Sequence, residues 1–176
     1  MKRVISGAIG IPLVLGLVLY GSPLLFFCFV VAIVAIASYE YFSMIANMGV
    51  EGYQIEGGVL GFILLVGFYL GAKFLGIFAV LLPVVLFTTW FIRGKNISVA
   101  LDPIAYTLLG IIYTAGLGGY FILIRDLDGG SQIIIFLLLL VWAGDVAAYY
   151  GGRNFGKHKL LPLVSPHKTV EGGIAN

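Results

Sequence analysis

Charge is what this sequence has least of. Only 10% of its 176 residues are charged, against about 25% in a soluble domain. That scarcity excludes a water-covered surface over most of the chain. Cysteine is nearly absent too: Cys28 stands alone inside an apolar run, so there is no disulfide framework and the residue reads as a small buried hydrophobe. No linker, low-complexity tract or convincing internal repeat interrupts the chain. The net charge of +2 is too small to carry meaning, and no nucleic-acid partner is indicated.

What is there is apolar. Hydrophobic residues make up 61% of the chain and mean hydropathy is +1.10, which reads as an integral membrane protein. The 14% aromatic content and 25 glycines fit, because Gly is commoner in membrane helices than in soluble ones. The first twenty residues imitate a signal peptide, with Lys2-Arg3 before an apolar core. A second apolar run follows at once from Pro23, so a retained first helix is the better reading.

A membrane span needs about 20 mostly apolar residues, since the hydrocarbon core is roughly 30 Å thick. Six stretches qualify: 4–20, 24–45, 57–72, 74–92, 103–124 and 131–150. The third is short and glycine-rich, and borrows Ile55 or packs inside the bundle. Gly21-Ser22-Pro23 and Arg125–Gly130 read as turns, and Asp102-Pro103 as a helix start. The expected fold is all-α, a polytopic transmembrane helix bundle forming one domain over 1–176. A loop over 151–176 and a further helix starting at Ser165 complete it.

With the N-terminus inside, Lys2, Arg3, Arg93, Lys95, Arg153, Lys157, Lys159 and Lys168 all fall on the inner side, and only Lys73 and Arg125 outside. The positive-inside rule favours that arrangement. It makes the chain a multi-pass protein of the inner (cytoplasmic) membrane. The glycosylation sequon at Asn96-Ile97-Ser98 then lies inside and reads as chance.

Polar chemistry gathers between Trp142 and Gly172. Asp145 sits late in the sixth apolar run, where a carboxylate at the helix centre would cost about 2.5–3.5 kcal/mol and less near the end. It reads as a ligand for a cation or substrate hydroxyl, or as an interfacial carboxylate paired with Arg153 or a lysine. Gly151–His158 nearly spells a P-loop. His158 stands where a Ser or Thr must hold magnesium, and the segment follows an apolar helix instead of a strand, so the motif is rejected. Its glycines free the backbone for tight turns and close approach to an anion. Arg153, Lys157, His158 and Lys159 form a basic cluster that attracts anionic lipid or binds phosphate. Ser165-Pro166 tips the choice to phosphate: Ser is a strong N-cap and Pro suits the first helical position. A helix starting there, with Lys168 and Thr169 in its first turn and Glu171 one turn in, would offer free N–H groups to an anion.

The pattern Asp145-x-x-Ala148-Tyr149-x-x-Gly152-Arg153-x-Phe155-Gly156-Lys157-His158-Lys159-Leu160, followed by Ser165-Pro166-x-Lys168-Thr169-x-Glu171-Gly172, resembles the phosphatidate cytidylyltransferases, the CDP-diacylglycerol synthases. His167 departs from it, standing where a lysine is expected. The resemblance implies transfer of a cytidylyl group from CTP to phosphatidic acid in phospholipid biosynthesis. It implies Asp145 and Lys168 as catalytic residues, and Tyr149, Arg153, Lys157, Lys159, Ser165, Thr169 and Glu171 as substrate-binding ones. It also implies Mg2+, with the main ligands expected beyond residue 176 and no metal site within the chain. On this reading the chain is an N-terminal portion, inactive by itself, whose partners are CTP, phosphatidic acid and the bilayer, with a homodimer left open. The alternatives from the residues alone are a transporter or channel with an anion-binding loop, and a structural membrane subunit.

Overall fold

The computed structural model describes residues 2–50, 52–71, 73–93, 101–162 and 165–176. Its elements run α1 (Lys2–Tyr20), α2 (Pro23–Asn47), α3 (Gln54–Leu70), α4 (Lys73–Ile92), α5 (Leu101–Ile111), a π-helical turn (Ile112–Gly116), α6 (Leu117–Arg125), α7 (Gly130–Phe155), β1 (Lys159–Leu161), β2 (Ser165–Thr169) and α8 (Val170–Ala175). Among the described residues four helices are long and apolar enough to cross a membrane: α2, α4, the continuous Leu101–Arg125 stretch and α7. Gly10–Tyr20 and α3 are shorter apolar helices. The chain is a multi-pass membrane helix bundle, as its composition requires, with a two-stranded hairpin added.

The turn at Gly21–Pro23 forms for the expected reason. The Ser22 hydroxyl accepts the Leu25 N–H at 3.2 Å, and Pro23 occupies the first turn, where it forfeits no hydrogen bond. The third span begins earlier than expected, at Gln54, and ends at Leu70 because Gly71 takes φ 113, a conformation that favours glycine. Its 17 residues reach about 25 Å at 1.5 Å each. The fifth span is not a plain α-helix: Ile112–Gly116 inserts a π turn. The sequon at Asn96–Ser98 and Lys95 lie outside the described residues.

The contacts divide the chain into two compact units, Met1–Gly130 and Ser131–Asn176. In the first, α2 lays Phe26, Val30, Val34, Phe42 and Ile45 into the core at helical spacing. Glycines on the facing helices let them in. A Cβ at Gly57 would strike the Phe42 ring, one at Gly110 would stand 2.8 Å from Cδ1 of Tyr41, and one at Gly119 would stand 2.7 Å from Cγ of Phe68. Small residues bring membrane helices close where water supplies no driving force.

Hydroxyls tie the same helices. Thr107 is fully buried; its Oγ1 donates to the Pro103 carbonyl at 2.7 Å and accepts the Tyr53 N–H at 2.9 Å. Ser38 and Thr114 join side chain to side chain at 2.8 Å, and the Tyr41 hydroxyl donates to the Tyr106 carbonyl at 2.9 Å. These bonds matter because a buried polar group left alone costs about 1–3 kcal/mol.

Two glycine substitutions should therefore differ in sign. Gly119→Ala drives a methyl group into the Phe68 ring and should cost about 1–3 kcal/mol, as overpacking does. Gly58 has nothing within 4 Å of its virtual Cβ, so Gly58→Ala should gain about 0.5–1 kcal/mol by favouring the helix. Denaturant unfolding in detergent micelles measures both, and equal midpoints would mean that Phe68 moves aside freely.

Candidate functional site

The second unit is built on one face of α7. Gly144, Ala148 and Gly151-Gly152 recur at spacings of three to four residues and so share that face. Helix α8 lies on it. A Cβ at Gly172 would stand 2.8 Å from the Ala148 carbonyl oxygen and 3.2 Å from the Gly152 Cα, and one at Gly151 would stand 2.6 Å from the Ala175 Cβ. A side chain at these positions would meet backbone or a Cβ fixed to it, neither of which can swing away. The glycines are thus close-approach residues within a helix, not loop residues: α7 continues through Phe155, five residues past the expected end at 150. The cost of glycine in a helix interior, about 0.5–1 kcal/mol each, is offset by this docking.

The segment after α7 corrects a second expectation. Ser165–Thr169 is strand β2, antiparallel to β1, with Lys159 opposite Thr169 and Leu161 opposite Ser165. The helix begins five residues later, at Val170. Its N-cap is Thr169, at φ −121 and ψ 154, whose hydroxyl accepts the Gly172 N–H at 3.2 Å. The residue before a proline is pushed into the extended region, and an N-cap also lies there, so Ser165-Pro166 suits both readings locally. Pairing with β1 decides between them, and the Val170 N–H closes the hairpin on the His158 carbonyl at 2.9 Å. Pro166 is tolerated because each strand of a two-stranded ribbon has an open edge. The near P-loop at Gly151–His158 is helical as far as Phe155, which agrees with its rejection.

Between α7, the hairpin and α8 lies a cavity of about 580 Å³, within the roughly 300–1,000 Å³ of small-molecule sites. Asp145, Tyr149 and Arg153 reach it from α7, and Ser165, Lys168 and Thr169 from β2. Six of the nine residues singled out in the sequence therefore share one wall. His167 joins them, as do Leu160, Gly173 and Asn176. Asn176 carried no signal, because an Asn after Gly-Gly-Ile-Ala reads only as a helix end. Arg153 donates to the Tyr149 hydroxyl at 3.3 Å, one turn away, which holds the guanidinium over the wall with donors to spare.

Lys157, Lys159 and Glu171 are not on that wall. Glu171 faces the hairpin instead. Its two oxygens accept the His158 backbone N–H at 3.3 Å each, and Oε1 lies 2.7 Å from Nδ1 of His158. Its own backbone N–H, then the His158 side chain, then the backbone N–H groups of His158 and Lys157 stabilise the carboxylate. Desolvation opposes them by more than either of the last two, yet together they lower its pKa from 4.5 to about 2. Among the described residues no three His, Cys, Asp or Glu side chains group as a metal site, and Asp145 is the one carboxylate on the cavity wall.

The cytidylyltransferase family model matches residues 1–176. The chain belongs to the cytidylyltransferase family. It is 30% identical over 184 residues to a phosphatidate cytidylyltransferase of Bacillus subtilis, covering 97% of this chain and 65% of that protein. It is 30% identical over 154 residues to one of Staphylococcus saprophyticus, covering 88% and 58%. A third, of Staphylococcus epidermidis, is 41% identical over 68 residues, or 39% of this chain and 25% of that protein. This cytidylyltransferase chain thus spans less than two thirds of the length of these relatives. No solved structure matches it significantly. Membership of the cytidylyltransferase family does not favour the transporter, channel or structural-subunit alternatives.

The Glu171 clasp has a defined pH range. A carboxyl group whose folded pKa is lowered contributes stability that is complete above its unfolded pKa and is lost as pH falls through the folded one. The clasp should hold down to about pH 4.5 and open between there and about pH 2. The Glu171 side-chain carbon resonance in micelles should titrate near 2, and the His158 amide should lose protection with it. A midpoint at 4.5 would mean that the clasp does not form.

Proposed function

We propose that this chain forms the nucleotide-binding part of a phosphatidate cytidylyltransferase, which moves a cytidylyl group from CTP to phosphatidic acid and releases CDP-diacylglycerol and pyrophosphate. The observation that carries the reading is the convergence of Lys168, Arg153 and Asp145 on one cavity in a chain of this family. In the reaction a phosphate oxygen of phosphatidic acid attacks the α-phosphorus of CTP. A new P–O bond forms, the bond from the α-phosphorus to the bridging oxygen breaks, and pyrophosphate leaves. Catalysis of such a transfer rests on positioning and on neutralising charge as it shifts.

Lys168 and Arg153 supply that neutralisation, Lys168 as a point charge and Arg153 as a fork able to bind two oxygens. Ser165 and Tyr149 offer hydroxyls, and Asn176 an amide, to the polar edges of the nucleotide. Lys157 and Lys159 add positive charge to the approach. Asp145 serves the nucleotide or a cation. Magnesium is ordinarily held by one or two carboxylates together with substrate phosphates; Asp145 fits as one such ligand, and the cation would supply further charge neutralisation at the phosphates. A diacyl lipid leaves the bilayer reluctantly, since each buried methylene contributes about 0.8 kcal/mol, so a membrane protein is the fitting carrier of the reaction.

The test joins this chain to the remaining third of the Bacillus subtilis relative and follows CDP-diacylglycerol formation from CTP and phosphatidic acid. Lys168→Ala should lower kcat/KM for CTP about 10- to 150-fold, the equivalent of one charge-assisted contact of about 1.5–3 kcal/mol. Lys73→Ala, in the first unit, should leave it unchanged. CTP binding to the chain alone should fall in parallel. Equal, near-parental values for both variants would remove Lys168 from the site.

The cytoplasmic-side reading of the N-terminus and of the hairpin belongs to the same proposal, supported by the excess of Lys and Arg on that side. In a Cys28→Ser background, Lys157→Cys should resist an impermeant maleimide in intact cells and react after permeabilisation. Lys73→Cys should react in both. Labelling of Lys157→Cys in intact cells would invert the topology.

A further inference from the structure

Within the first unit two hollows share a wall. One, of about 250 Å³, runs between α2 and α3 and is lined mainly by apolar side chains, Val31, Val34 and Ala35 facing Phe62 and Leu65. The other, of about 440 Å³, lies where α2 ends and α3 begins, and Arg93 from the end of α4 lines it. Phe42 and Gln54 line both. An apolar trough along two membrane helices therefore adjoins a polar recess at the helix ends, the depth at which headgroups lie.

Two residues that line the recess are suited to an anion. Arg93 pairs with Glu56, which uses part of a guanidinium with five donors. Its Cζ lies 4.7 Å from the centroid of the Tyr53 ring. Tyr53 is 1% exposed, yet its phenolic hydroxyl has no hydrogen-bond partner. A buried hydroxyl without a partner is costly, and this one belongs to a residue of the recess wall. Burial raises the Tyr53 pKa, Arg93 opposing and Glu56 adding to the effect, so the hydroxyl remains a donor. An unpaired donor and a half-used cation at one end, with an apolar trough at the other, match a molecule carrying a phosphate at one end and an alkyl chain at the other.

We propose that the two hollows form one binding site for an anionic phospholipid, its phosphate on Arg93 and Tyr53 and one acyl chain in the trough between α2 and α3. The site uses none of the residues assigned to the nucleotide, and it stands whether or not the chain transfers a cytidylyl group.

The experiment is native mass spectrometry of the whole chain in detergent, with phosphatidylglycerol or phosphatidylcholine added at equal concentration. These lipids share their tails and differ in headgroup charge. One phosphatidylglycerol should be retained about tenfold more strongly than phosphatidylcholine. Arg93→Gln should abolish the preference. Tyr53→Phe, which keeps the ring beneath Arg93, should weaken retention about threefold to tenfold. Ala35→Trp, which fills the trough, should block retention while leaving the ion pair intact. Glu56→Gln should strengthen retention by freeing the guanidinium; if Arg93 served only to hold Glu56, it would weaken or do nothing, and that result overturns the proposal. Lys168→Ala should have no effect, which separates this site from the nucleotide pocket. Equal retention of the two lipids by the parent chain overturns the proposal. So does displacement of phosphatidylglycerol by an equal concentration of glycerol phosphate, which would make the recess a phosphate site without a tail.

Discussion

The approach of Gly172 to α7 sets the geometry of the polar site. With no Cβ there, and none at Gly151 or Gly152, the α8 backbone reaches the α7 backbone directly. That contact fixes where α8 begins, and so where its N-cap, Thr169, must stand. Thr169 ends β2, and β2 carries Lys168 and His167 to the cavity wall. One missing methyl group thus determines the position of a cation four residues away. A Cβ at Gly156 would meet Thr169 Cγ2 at 2.7 Å, so the residue just past the end of α7 is bound by the same constraint. The hairpin is short, and three-residue β1 would be marginal by itself. It is held because both of its ends are fastened, one by this contact and the other by Glu171.

The Glu171 clasp also shapes the electrostatics. On sequence alone Glu171 stands among the lysines and would offset them. Turned onto His158, its carboxylate is satisfied by hydrogen bonds away from the cavity. The wall then carries Lys168 and Arg153 against Asp145 alone, an excess of positive charge that suits a phosphate-bearing ligand. A carboxylate held well below its usual pKa does not neutralise itself by taking a proton at physiological pH, so the clasp persists under working conditions.

The membrane spans were legible because their signal is chemical and local: a run of about 20 apolar residues has few other uses. The boundaries that went astray are those decided by contacts distant in sequence. Nothing near Gly151-Gly152 indicates that a helix passes through them, since their reward comes from Gly172 and Ala175, some twenty residues on. Ser165-Pro166 announces an extended backbone correctly, but whether a helix or a strand follows depends on β1. Asp145, Tyr149, Arg153, Ser165, Lys168 and Thr169 were legible as a set because a long pattern carries them. Glu171 belongs to the same pattern, yet its side chain works inside the hairpin, and a pattern does not reveal which way a side chain turns. The π turn at Ile112–Gly116 had no signal, as a one-residue change of winding alters no periodicity over so short a stretch.

Both units use glycine for close approach, but against different neighbours, and the difference bears on how each tolerates change. In the first unit the glycines at 57, 110 and 119 meet aromatic rings. A ring can rotate about its side-chain bonds, and a core of similar volume can repack at modest cost. In the second unit Gly172 meets the carbonyl oxygen of Ala148 and the Cα of Gly152, which move only if a helix moves. Lipid supplies no hydrophobic force to press helices together, so packing and hydrogen bonds must do so. Where packing is ring on glycine, the energy is spread over many side chains and can be redistributed. Where it is backbone on backbone, the separation is set by two or three positions, and a shift of about 1 Å carries the cations on β2 with it. On the proposed reading, a site that neutralises phosphates gains from that rigidity, because charge-assisted contacts depend on distance and direction. The glycines of the second unit are therefore as much a part of the site as the lysine they position.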